Sequence, residues 1–311
     1  MPKPTHLLIG QYEQQKQWFQ ELGKWRGSVI PAILPKVLLF MVMSLGVTGL
    51  YVQGLNLALP VKSGLIPSIV LGLLLVFRTN TAYDRFWEGR KLWGSLINNV
   101  RNLSRLIWVA VKEVNPTDRQ EKQQTLRLLE AFAIAMKLHL RGERVSAELA
   151  PLMPPEFYAT LQQINHPPLE IAFWISDYLQ QQLDQQKINA YQLNAMFQLL
   201  DDMVDTLGAC ERILKTPIPA AYAIHLKQLV FLYCLTLPFE LVDQLVWFTS
   251  PLVGLVSFAI FGIEAIGAEI ENPFGYDAND LPLDQICQTI QRNLEDLIRF
   301  TPGYGGEETK S

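Results

Sequence analysis

Residues 64–105, GLIPSIVLGLLLVFRTNTAYDRFWEGRKLWGSLINNVRNLSR, decide the fold. From Leu65 to Phe77 the stretch is apolar and uncharged; beyond it come Arg78, Asp84, Arg85, Glu88, Arg90 and Lys91. No Gly/Pro punctuation marks the join, and helix formers dominate, so one long helix is expected. Its first half belongs in a membrane and its second half in cytosol. Leu65, Ile69 and Leu73 fall at i, i+4 and i+8 and share one face. The 13 apolar residues rise only about 20 Å, short of a bilayer core of about 30 Å. Either this segment is half-buried in protein, or the helix extends through Arg78 into a wet interior. A helix that passes from lipid depth into water fits a bundle around a polar pathway.

Working outward, the composition agrees with membrane segments inside a water-compatible chain. Apolar residues make up 49% and charged residues 18% of 311 positions, against roughly 25% charged in a soluble protein. The net charge of −4 argues against a nucleic-acid partner. Cys210, Cys234 and Cys287 are scattered and odd in number, so no disulfide framework and no thiolate metal site are expected.

Before the decisive stretch lies a second apolar run, Val29 to Val52, 24 residues interrupted only by Lys36. It suits a span of about 20 residues, with Pro31 and Pro35 near its start and Lys36 snorkelling to an interface. The segment 1–28 carries no apolar run of signal-peptide length and reads as cytosolic. Tyr12, Trp18, Phe19, Leu22 and Trp25 give it an amphipathic helix, lying at an interface or packed on the same domain.

After Arg78 the chain reads as helical and soluble to about residue 221, with amphipathic helices punctuated by proline and no useful period-2 alternation. Residues 128–143 form an amphipathic or buried helix. Residues 222–267 are apolar again and divide near 241–251, giving a hairpin of two spans. The chain therefore has four membrane-entering segments: 29–77 holds two and 222–267 holds two. Region 78–220 carries 16 Lys/Arg, whereas connector 53–64 has one and turn 241–251 none. By the positive-inside rule the helical block and both termini are cytosolic. The tail 268–311 turns at Asn272-Pro273 and Gly275, then forms a helix from Leu283 to Phe300 capped by Asp280 or Asp284, ahead of a disordered end.

RTNTAYDRFWEGRKLWG (78–94) and IENPFGYDANDLPLD (270–284) resemble, in order and distance, the paired motifs of the bestrophin family in its bacterial and chloroplast branch. The likeness covers nearly the whole chain. It implies an all-α integral membrane protein: a homopentamer around one central pore whose second span lines a narrow neck. The matching neck positions are Leu65, Ile69 and Leu73, with Gly72 beside them. Rings of such side chains gate by dewetting. The other reading of the stripe is helix–helix packing. The resemblance also implies passive conduction of small anions such as chloride or bicarbonate, although some relatives prefer cations such as sodium. It points to a cell inner membrane or a thylakoid membrane. Asn194 is a candidate lower constriction.

Other residues bear on ion sign and regulation. Glu240 and Asp243 are candidates for an acidic outer mouth, which favours cations locally, whereas helix N-termini aimed at the pathway favour anions. Animal relatives follow NPFG with an acidic run that clasps calcium. Here Asp277, Asn279 and Asp280 supply two carboxylates and an amide, too few for the 6–8 oxygens calcium wants. On the cytosolic helix, Glu88 and Lys91 stand close enough to pair. The four histidines (His6, His139, His166, His225) read as isolated, so no metal and no cofactor are expected. No GxSxG, Walker or dinucleotide loop suggests an enzyme. A non-conducting scaffold or a coupled transporter is the reading from another class, though no internal repeat supports a transporter.

Overall fold

The computed structural model describes residues 23–25, 27–59 and 65–300. The amphipathic positions Tyr12, Trp18, Phe19 and Leu22, and the expected disordered end 301–311, lie outside the described residues. Among the described residues there are helices and no strands. They run α1 (Ile30–Val52), α2 (Leu65–Ala110), α3 (Asp118–Leu140), α4 (Pro155–Leu161), α5 (Pro167–Asp184), α6 (Ala190–Lys215), α7 (Ala220–Leu245), α8 (Thr249–Glu269) and α9 (Leu283–Phe300). The helix expected over 64–105 is α2, 46 residues without a break. By contact the chain forms two compact units, one of 1–84, 218–271 and 277–279, the other of 85–217, 272–276 and 280–311.

In the first unit, α1 packs most extensively along α8, and α7 packs on both. Phe40 sits at the centre, its ring stacked on Phe261 at 5.7 Å and edge-on to Phe231 at 5.6 Å. The α1–α8 seam is close because its residues are small, as membrane helix pairs favour. Ser44, Thr48, Ser250 and Ser257 are buried, and the Ser250 hydroxyl donates to the Met41 carbonyl at 3.0 Å. A Cβ at Gly254 would stand 2.7 Å from Met41 Sδ. Among the described residues, two stretches are long and apolar enough to cross a bilayer: Ile30–Val52 and Ala220–Glu269.

The second of these holds α7 and α8, and the turn between them is tighter than the sequence suggests. Rather than occupying 241–251, it is the single 3₁₀ turn Val246–Phe248. Val246 takes φ +44°, a region costly for a β-branched residue. This left-handed step reverses the chain without the glycine that a sequence reader looks for.

In the second unit, α3 is the hub. It is buried on nearly every side, with α5, α6 and α9 packed on it. So residues 128–143 resolve to the buried alternative. From α2, Trp93, Leu96, Val100, Leu103 and Ile107 enter the same core at helical spacing. The two motifs that carry the bestrophin resemblance meet here. A Cβ at Gly89 would lie 3.2 Å from both Pro273 and the buried Phe274 ring. Arg141 then fixes the tail: its Nε donates to the Phe274 carbonyl (3.3 Å), its guanidinium covers the Tyr276 ring (3.9 Å), and Nη1 meets Asp284 (3.1 Å). Asp284 also pairs with buried Lys137 at 2.9 Å. Asp284 stands in the first turn of α9 and binds these cations instead of capping the helix.

Candidate functional site

The site begins with the face of α2 that the fold leaves uncovered. Leu71 and Leu75 are buried in the first unit's core. Ile69, by contrast, is 62% exposed and Leu73 and Val76 are each 53% exposed. Asn80 and Asp84 continue the same exposed row at helical spacing. In the second unit the row goes on through Trp87, Lys91, Ser95 and Asn98. One edge of a single helix thus grades from aliphatic to polar. Leu65 lies one turn before Ile69 on α2, with its side chain outside the described residues. Exposed Gly72 has no atom within 4 Å of a Cβ position.

Below the aliphatic part, charge is neutralised in place. Arg78 is buried, with Glu264 at 3.6 Å and Glu271 at 3.8 Å. Arg85 donates to the carbonyls of Ile213 and Thr216, both at 2.5 Å, at the C-terminal end of α6. Glu88 pairs with Arg212 at 3.0 Å, not with Lys91. The Lys91 ammonium lies 5.9 Å over the Trp87 ring instead. A partner from α6 displaces the local i, i+3 option, because the last turn of α6 brings a guanidinium to the carboxylate.

The remaining candidates fall in separate places. Asn194 is exposed in the first turns of α6, opposite buried Leu193 and Met196. Glu240 is half-buried within α7, and Asp243 is exposed one turn on. Asn279 donates to the Gly27 carbonyl at 3.1 Å and to Glu269 at 2.8 Å. An Asp280 oxygen lies 2.7 Å from the Cβ position of Gly275. The amide of this remnant clasp is therefore already engaged within the chain.

The histidines require a correction. Two of the four are not isolated: His139 Nε2 is 2.5 Å, and His166 Nε2 2.9 Å, from the same Glu211 oxygen. Burial works against the Glu211 carboxylate. Hydrogen bonds from His139, Lys215 and His166 outweigh it and hold its pKa down at about 2. No local spacing signals this cluster, since its members come from α3, the start of α5 and α6.

A family model for bacterial and fungal bestrophin proteins matches residues 11–296. A voltage-dependent anion channel-forming protein of Synechocystis sp. is 61% identical over 287 residues, covering 92% of this chain and 94% of that one. A protein of the same description from Nostoc sp. is 58% identical over 93% of this chain and 94% of its own. Solved structures of a bacterial bestrophin homolog from Klebsiella pneumoniae superpose well. One has a TM-score of 0.80 at 32% identity, covering 88% of this chain and 99% of that one. Another has a TM-score of 0.79 at 31% identity, covering 86% and 99%.

Proposed function

The chain belongs to the bacterial and fungal bestrophin family, and from that premise we propose that it is a pentameric channel passing small monovalent anions, chiefly chloride and with it bicarbonate. The observation that carries this is the exposed aliphatic edge of α2 at Ile69 and Leu73. Five such edges around one axis make a narrow apolar collar. Water wets a collar of that kind poorly, so conduction is gated by dewetting rather than by a charged plug. By helical spacing Leu65 forms the uppermost ring. Asn194 forms the lower ring, and Glu240 and Asp243 stand at the outer mouth.

In this reading α1, the first part of α2, α7 and α8 enter the membrane, and both termini face the cytosol, on the positive side set by the Lys/Arg of 78–220. The membrane is a cell inner membrane or a thylakoid membrane. Anion preference is supported by the relatives described as anion channel-forming proteins. A sodium-selective channel of the same architecture is the second reading, and Glu240 and Asp243 are the observation that favours it.

The test is a reversal potential under a salt gradient in planar bilayers, beside the mass of the solubilised particle. Reversal at the chloride equilibrium potential, from a particle near five times 35.4 kDa, supports the proposal. Reversal at the cation potential transfers it to the second reading. A particle of that mass without current makes the assembly a scaffold.

A further inference from the structure

We propose that His139, His166 and Glu211 form a binding site for a divalent transition metal of the zinc type, within the second unit. Three elements deliver the ligands. His139 lies in the last turn of α3, His166 is the N-cap residue of α5, and Glu211 projects from the C-terminal part of α6. Their ligand atoms all lie within 4.8 Å of one another. The two imidazole rings are 4.5 Å apart between centroids, tilted by 42°, so both Nε2 atoms converge on one carboxylate oxygen.

The donor set selects the metal class. Two imidazoles and a carboxylate match three-ligand zinc sites that keep a fourth position for water. Calcium and magnesium prefer all-oxygen shells, so this site is chemically distinct from the acidic tail remnant. With metal–ligand bonds of about 2.0–2.2 Å, tetrahedral ligand atoms stand about 3.3 Å apart. The present separations of 2.5 and 2.9 Å therefore need to open by less than about an ångström. Each ring presents Nε2 to the shared Glu211 oxygen in the metal-free state. On binding, any proton on Nε2 moves to Nδ1 or leaves to solvent, and the Nε2 lone pair takes the metal.

Two features set the cost. A metal-bound His166 gives up the 3.4 Å hydrogen bond that its Nδ1 accepts from Leu169 N–H, a long and weak one. Lys215 holds the other Glu211 oxygen at 3.2 Å. It opposes a second cation but leaves the shared oxygen facing the histidines, and its side chain is largely solvated, which screens the repulsion. Access exists as well. A cavity of about 500 Å³ opens beside His139, lined in part by Glu143, Arg144, Gln162 and Asn165. A bound ion would add a polar tie among α3, α5 and α6 at the edge of the hydrophobic core they share.

The test uses the full-length protein in detergent, stripped with chelator and titrated with Zn²⁺ by calorimetry and with Co²⁺ by visible absorption. One Zn²⁺ per chain is expected, with the d–d bands of four-coordinate Co²⁺ and a raised thermal midpoint. Glu211→Gln and His166→Gln should each weaken binding at least tenfold and abolish those bands, while His225→Ala leaves both unchanged. Glu211→Gln keeps the side-chain shape. His166→Gln alters a helix start rather than the core, so a folded variant is available even where His139→Ala misfolds. No stoichiometric Zn²⁺ uptake, or uptake unchanged in both Gln variants, overturns the proposal.

Discussion

Replacing Ile69 by alanine should separate a lining residue from a packing residue, with Leu71→Ala as its partner experiment. Leu71 is 4% exposed and touches the core built around Phe40, Leu226 and Val230. Truncating so buried a leucine leaves a cavity and costs about 2–5 kcal/mol. Ile69 keeps little more than a third of its surface covered, so the same truncation should cost about 1 kcal/mol or less. The effect on current runs the other way. In the proposed channel, Ile69→Ala removes the branched side chain from every subunit of the collar, and a barrier lower by about 1.4 kcal/mol raises conductance about tenfold. Thermal unfolding followed by size-exclusion, beside single-channel conductance in planar bilayers, reads both quantities. Ile69→Ala should conduct more and melt almost as the parent does; Leu71→Ala should melt early. If Ile69→Ala melts as early as Leu71→Ala while passing the parent's current, the α2 edge is packing and the reasoning fails.

Four further outcomes follow from the same geometry. Gly89→Ala forces a methyl against Phe274 and Pro273 at 3.2 Å and should cost about 1–3 kcal/mol, a loss that adding Phe274→Leu partly reverses in the same melting assay. Glu130 is pushed up to about 7 by burial, then by Glu295, against Arg127. Its contribution to stability is thus full below pH 4.5 and is lost as pH rises through about 7. Linkage gives about 3 kcal/mol at most, reduced to about 1–2 by solvent screening, so Glu130→Gln should flatten the pH dependence and raise the melting point at pH 8. Asp118 accepts from Val114 N, Asn115 N and Lys187 Nζ at 2.7–2.8 Å, which hold its carboxyl well below the usual range. Its stabilisation is present above pH 3.8 and fades as pH falls through the depressed value, and Asp118→Asn, which strands buried Lys187, should lower the thermal midpoint by several degrees. Micromolar calcium should leave bilayer currents unchanged, because Asn279 is already engaged and two carboxylates make a poor site; strong activation would refute this.

Much of the architecture was legible because hydropathy and punctuation act locally. The unbroken α2 follows from an apolar-to-polar gradient with no breaker, and α1 from a run long enough to span. The α7–α8 turn falls inside the expected 241–251 but is narrower, because Val246 takes a positive φ in a place where no glycine announces it. Pairings over long separations were out of reach. Glu88 meets Arg212 across 124 positions, and His139 meets Glu211 across 72. Such encounters depend on how α2, α3 and α6 stack, which no spacing rule encodes. The Gly89–Phe274 contact sits between, since the sequence flags both motifs but not that one is the floor on which the other rests.

The seam between α1 and α8 has a consequence for biosynthesis. Met41 and Ser250 are 209 positions apart. At about 5–20 residues per second, α1 waits on the order of ten to forty seconds for its partner to leave the ribosome. In the proposed membrane arrangement, Ser44 and Thr48 face lipid during that interval or borrow carbonyls from their own helix. The nascent chain is then most exposed to quality-control proteases, and substitutions that make α1 more polar should first appear as lost yield rather than as altered current.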